Sequence, residues 1–224
     1  MHPNTEDRMS SSPFSQADLD RITATVKEAE SKTSGEIVPY FVDQSDDYRV
    51  ASWRGGVTAG ATAMLLSLLV HTVVNIWFAY SMFELSATIA VGFGLGVFLV
   101  RIIHSFRRFF AGPSLMEHRV SQRASLAFLS EEVFNTRERT GILIFLSFFE
   151  RKVVVLGDAG INAKARPEDW EGIVRTIVQS MRDGKPADGL VEAIRQCGTL
   201  LQKHGIQRRD DDLDELSDNL RIGR

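Results

Sequence analysis

The residues best suited to chemistry in this 224-residue chain are carboxylates at the ends of apolar runs. Asp43-Gln44-Ser45-Asp46-Asp47 follows the run Ile37–Val42, and Asp158 follows Val153–Leu156. Carboxylates at strand ends can hold a hard cation, and Ca2+ or Mg2+ takes oxygen ligands. The cluster is not an EF-hand: it lacks the central glycine, and position twelve counted from Asp43 is Arg54. The same aspartates also suit turns, whose backbone N–H groups they accept, and Asp47 and Arg49, just before a membrane helix, can pair with that helix or with lipid. No nucleophile is set up for attack. None of the five histidines (His2, His71, His104, His118, His204) has a Ser or Cys partner at a recognised spacing. Cys197 is the sole cysteine, which excludes an internal disulfide and a Cys-based zinc cluster and leaves a small side chain for burial. Arg137-Glu138-Arg139 can contact a phosphate or lie in a solvated loop.

The elements that must position these residues are legible from periodicity. Ser15-Gln16-Ala17-Asp18 resembles a capping box, and Leu19, Ile22, Val26 and Ala29 recur at helical spacing until Ser34-Gly35. Glu36–Val42 reads as a strand, with Pro39 favouring an edge or a strand beginning. Gly112-Pro113 breaks the chain before a helix from about Ser114 to Asn135, whose Leu115, Val120, Leu126, Leu129 and Val133-Phe134 are expected to face a core. Gly141–Ser147 and Lys152–Leu156 are near-continuous apolar strands parted by a polar turn at Glu150-Arg151, as expected for burial on both faces. Two amphipathic helices follow. One runs through Trp170, Ile173, Ile177 and Met181 to Gly184, and the other runs from Pro186 through Leu190, Ile194, Cys197 and Leu201 to His204-Gly205. The tail from Arg208 on, with Asp210-Asp211-Asp212, is expected to be a charged, mobile extension. These pieces sum to an α/β fold, a small central sheet flanked by helices.

A different kind of segment interrupts them. From Gly55 to Val100 the chain holds one acidic residue, Glu84, and no Lys or Arg. About 29 uncharged residues separate Arg54 from Glu84, more than the roughly 20 that a spanning helix needs. Leu85–Val100 is shorter, but Arg101 can snorkel and let Ile102 and Ile103 complete the span. Trp77 and Tyr80 belong at an interface, and His71 and Asn75 share a face near the far side. Small residues at helical spacing, Gly56 with Gly60 and Gly92 with Gly96, can close the hairpin on itself or join two copies. Arg49, Arg54, Arg101, His104, Arg107 and Arg108 flank the pair, while the link carries only Glu84. The positive-inside rule then places both termini and the soluble domain in the cytoplasm, in a multi-pass protein of the cell inner membrane. Residues 1–35 are polar, so no cleavable secretion signal is expected. Phe106, Phe109 and Phe110 interleave with Arg107 and Arg108, as suits a segment touching acidic head groups of the lipid bilayer. Net charge −3 gives no basic field for nucleic acid.

Four stretches carry a family resemblance: Gly35-Glu36-Ile37-Val38, Arg139–Phe145, Arg151–Asp158, and Asp188-Gly189-Leu190 opening a helix. With them the chain resembles the TPM domain family, which includes thylakoid-lumen photosystem-repair proteins and bacterial membrane-attached proteins. It looks like a subgroup in which a transmembrane hairpin follows the first strand. The resemblance implies a Rossmann-like sandwich, a divalent-metal site and a phosphatase activity reported for some members. The positions here that fit such a metal site are Asp43, Asp46, Asp47 and Asp158.

The expected organisation is a disordered N-terminus at 1–14, a discontinuous TPM-like domain at 15–49 and 112–206, spanning helices at 55–80 and 85–103, and a charged tail at 207–224. The expected function is an interaction or regulatory module for the assembly or maintenance of membrane proteins. Alternatives are a divalent-metal-dependent phosphatase and a channel or transporter subunit. The last would need intramembrane charge, where only His71 and Asn75 are polar.

Overall fold

The structure, a computed structural model, describes residues 13–74, 81–208 and 216–223. In chain order its elements are α1 (Gln16–Glu30), β1 (Ile37–Val42), α2 (Arg49–Val74), α3 (Met82–Ile102), α4 (His104–Ala111), α5 (Pro113–Ser130), β2 (Ile142–Ser147), β3 (Lys152–Gly157), α6 (Ala159–Asn162), α7 (Pro167–Arg182), α8 (Pro186–Lys203) and β4 (Arg221–Gly223). They divide into two compact units, Met1–Ser45 with Glu117–Arg224, and Asp46–Met116.

The first unit is an α/β sandwich on a mixed four-stranded sheet of order β3-β2-β1-β4. β1 runs parallel to β2 and β4, and β2 and β3 form an antiparallel hairpin. Alternation along the strands supplies both layers. Ile37, Phe41, Ile142, Ile144 and Leu146 pack with α1, α7 and α8 through Ile22, Val26, Ile177, Leu190, Ile194, Cys197 and Leu201. Val38, Tyr40, Val42, Leu143 and Phe145 pack on the opposite face with Val120, Ala124, Ala127 and Val133. β2 is buried along its whole length, while β3, paired on one side only, is mostly half-buried.

Three details differ from the sequence reading, each for a local reason. The α5 face turned to the sheet is alanine-rich, and Leu126 and Leu129 stay 58% and 59% exposed. The large stacked pair Tyr40–Phe145, with centroids 5.6 Å apart, already fills that layer and leaves room for small side chains. Pro39 lies within a central strand. The bonds Ile142 N–H to Glu36 O and Phe148 N–H to Val42 O aim the even-numbered backbone groups of β1 at β2. The missing N–H of Pro39 therefore falls on the β4 side, where pairing starts only at Tyr40. Finally, the charged tail returns to the sheet. Residues 221–223 pair with β1, Leu216, Leu220 and Ile222 pack on the two cores, and Arg221 Nε meets Glu131 Oε2 at 2.7 Å. The Asp210-Asp211-Asp212 run lies outside the described residues.

The second unit is a helical pair with a short third helix. Two helices, 26 and 21 residues by their full bounds, are long and apolar enough to cross a membrane. Both begin earlier than expected. α3 starts at Met82 because Ser81 and Glu84 form a capping box, so the expected link is itself a helix start. Asn75, Trp77 and Tyr80 lie outside the described residues. The glycines face the partner helix within the hairpin. A Cβ on Gly56 would sit 2.7 Å from Val97 Cγ2, one on Gly92 2.7 Å from Ala63 Cβ, and one on Gly96 2.5 Å from the Gly55 carbonyl oxygen. Only glycine lets these backbones approach so closely. Ile103, at φ −96° and ψ 106°, breaks the helix between α3 and α4, and Gly112 in a positive-φ conformation ends α4.

Candidate functional site

The strand directions decide what the four candidate aspartates can do together. Asp43 leaves the carboxyl end of β1. Asp158 leaves the end of β3, whose last residue Gly157 is opposite Ile142, itself opposite Ile37 at the amino end of β1. Six strand residues at ~3.3 Å each separate the two ends by ~20 Å. Asp43 and Asp158 therefore cannot share a cation, which corrects the four-residue set read from the sequence.

At the amino end, Asp158 is 5% exposed and held on both oxygens. Oδ2 lies 2.6 Å from Arg139 Nε, and Oδ1 accepts from Arg139 Nη2 at 3.0 Å and from Ala159 N at 2.7 Å, capping α6. The Arg139 guanidinium also lies 5.5 Å from the Phe134 ring centroid. Arg139 is thus engaged with this buried carboxylate, not left in a solvated loop.

At the carboxyl end, Asp43 is exposed, and its backbone oxygen accepts from Phe149 N at 2.8 Å. Beside it lies a polar knot that sequence reasoning missed. Glu150 Oε1 accepts from Ser45 N at 2.9 Å, Ser147 Oγ donates to Glu150 Oε2, and the Ser45 and Ser147 hydroxyls are 2.8 Å apart. Ser147 is fully buried and Ser45 half-buried, and this knot ties the β1 exit to the β2–β3 turn. Asp46 and Asp47 belong to the helical unit. Asp46 Oδ1 accepts from Tyr48 N at 2.7 Å, an Asx turn that carries Tyr48 into positive φ, and Asp47 Oδ2 lies 3.8 Å from Arg49 Nη2. Among the described residues, no three His, Cys, Asp or Glu side chains gather as a metal-ligand set.

A second acidic group also escaped the sequence reading. Burial pushes the Glu30 carboxyl up to about 9, and the nearby charges of Glu36 and Asp218 push the same way, against a hydrogen bond from Ile37 N. Glu30 is therefore protonated at neutral pH and shares a hydrogen bond with Asp218, which Lys27 approaches at 3.6 Å. Asp218 is 7% exposed and sits three residues before β4, so this pair fastens the returning segment.

The comparisons agree with this architecture. A family model for the TPM domain matches residues 109–200, which include three of the four resembling stretches and leave Gly35–Val38 outside. Comparison with curated proteins finds no match. Among solved structures the chain is similar to the NMR structure of the BA42 protein from the psychrophilic bacterium Bizionia argentinensis. The TM-score is 0.58 at 18% identity over 95% of this chain and 97% of that one, a likeness of fold. Residues 109–200 thus match the TPM domain, and the chain shares the fold of the BA42 protein.

Proposed function

We propose that this chain is a membrane-anchored TPM-domain protein of a bacterial inner membrane, with its domain and both termini cytoplasmic. In this reading it serves as an interaction or regulatory module in the assembly or maintenance of membrane proteins. The observation that carries the reading is the outward apolar surface of the hairpin. Leu65, Leu69, Val73, Val91, Leu95 and Phe98 are each more than half exposed. Water would penalise that surface by roughly 25 cal/mol per Å², and a bilayer would not. Basic residues flank both helices and are absent from the link, which supports the orientation. A docking role needs only an anchor and a folded surface, and α5 presents Leu126 and Leu129 on such a surface.

A photo-crosslinking residue at Leu126 or Leu129, in native membranes, is expected to give discrete adducts with another membrane protein, and one at the exposed Glu168 is not. Metal-dependent hydrolysis of an aryl phosphate by the purified chain, abolished by Asp43→Asn, would replace this reading with the phosphatase.

A further inference from the structure

Residues 216–223 cover one edge of the sheet with slight pairing. β4 contributes three residues, each half-buried, and among the described residues it pairs with β1 alone. The rest of that β1 edge is closed by other means. The odd-numbered backbone groups of β1 face this side. Ile37 N donates to Glu30 Oε1 at 2.8 Å, Pro39 has no N–H, and Phe41 is opposite Ile222. Glu30 thus guards the start of the edge and also meets the segment that covers its end.

The covering segment is built as one piece. Arg221 Nη1 donates to the Ser217 and Asn219 carbonyls at 2.8 and 3.3 Å, which folds 217–221 on itself. Leu220 and Ile222 pack on one core and Leu216 on the other. At its rim, Arg221 Nε meets Glu131 Oε2 at 2.7 Å, and Thr23 Oγ1 donates to Asn219 Oδ1 at 3.3 Å. Asp218 is its one buried residue, and among the described residues no N–H reaches Asp218 Oδ1. The proton of Glu30 is the donor available to that buried carboxylate.

The charges that face Glu30 are Glu36, just before β1, and Asp218. Lys27 of its own helix approaches Asp218 at 3.6 Å, and Arg208 Nη1 lies 3.5 Å from the Ser31 carbonyl. α8 meets this end of α1 through Gly198, beside Ala29. Protonated, Glu30 donates to Asp218; ionised, it adds a like charge beside Asp218 and Glu36 where burial already disfavours charge.

We propose that residues 216–223 form a releasable strap over the β1 edge, latched by the Glu30–Asp218 carboxyl pair and freed as one piece when Glu30 ionises. The closed strap holds a proton that the open one gives up. Closure is therefore firm at low pH and weakens as pH rises toward about 9. Release bares the Phe41 N–H and C=O and gives the domain a sheet edge governed by pH, whichever way the chain meets a membrane.

Hydrogen–deuterium exchange of the full chain in mild detergent, at pH 6.5 and 8.5 and corrected for the intrinsic pH dependence of exchange, tests this. The 216–223 amides are expected to be at least about a hundredfold less protected than those of β2 at both pH values. Their protection should fall about tenfold between the two. Glu30→Gln, and Asp218→Asn, which removes the charge that ionised Glu30 repels, should each flatten that fall. Arg221→Gln, at the far rim, should loosen the strap about fivefold at both pH values and keep the pH response. Strap amides as protected as those of β2 would mean that the segment opens only when the domain unfolds, which overturns the proposal. A fall of the same size in Glu30→Gln and Asp218→Asn would overturn the latch.

Discussion

Arg139→Met lowers the stability of the TPM domain by about 2–3 kcal/mol, because it leaves the carboxylate of Asp158 buried without its cation. In a chain of this size that is a fall of about 5–10 °C in melting temperature, readable by circular dichroism of the detergent-solubilised protein. Asp158→Asn should cost less. The amide oxygen still accepts from Ala159 N to cap α6, and the arginine left behind is half exposed and can turn to water. The order of the two variants identifies the role. If Asp158 served mainly as a cation ligand, added Ca2+ or Mg2+ would stabilise the parent and not Asp158→Asn, and Arg139→Met would be close to neutral.

Stability should also fall as pH rises from about 5 to 9, at up to about 1.4 kcal/mol per pH unit for one proton. The folded Glu30 keeps its proton to about pH 9, whereas the unfolded group loses it near 4.5. Between those values the folded state binds the extra proton, so its contribution is complete below the unfolded value and is lost as pH climbs through the folded one. Other shifted carboxylates act elsewhere. Asp18, Glu28 and Asp169 are held low by hydrogen bonds from Ser15, from Lys32 and from the Arg166 backbone, so their contribution is lost only as pH falls below the ordinary carboxylate range. Glu30→Gln keeps an oxygen for Ile37 N and supplies a permanent donor toward Asp218. Denaturant titrations at pH 6 and pH 8.5 should differ clearly for the parent and little for Glu30→Gln, and the variant should be the more stable at pH 8.5. An unchanged slope in the variant would mean that another group carries it.

Local signals made much of this molecule legible. Ser15 and Asp18 do form the capping box, the apolar strands do form a sheet between helices, and the uncharged stretch does form two long helices. Misreadings arose where the outcome depends on distant pairing. The polar turn at Glu150-Arg151 already implied a reversal of direction, and a reversal returns the end of β3 to the start of β2. It separates Asp158 from Asp43 only together with the parallel pairing of β1 and β2, which the turn does not reveal. The Ser81–Glu84 capping box was equally present in the sequence. Glu30 was not readable. Besides burial, its upward shift depends on Glu36 and on Asp218, 188 positions away, brought in beside three strand residues whose pattern carries no strand signal. The α5 face was misjudged because leucines outweigh alanines in a periodicity argument, whereas the space left by Tyr40 and Phe145 selects the alanines.

Membrane insertion with a cytoplasmic domain is most directly tested by labelling single cysteines in intact spheroplasts with a membrane-impermeant maleimide. The native thiol leaves a clean background, since Cys197 is fully buried and burial pushes it up to about 12. Phe83→Cys, at a position 81% exposed at the start of α3, should label from outside, and Glu168→Cys only after lysis, with both proteins retained in carbonate-washed membranes. Labelling of Glu168→Cys in intact spheroplasts would reverse the orientation, and release of the chain by carbonate would contradict the membrane anchor itself.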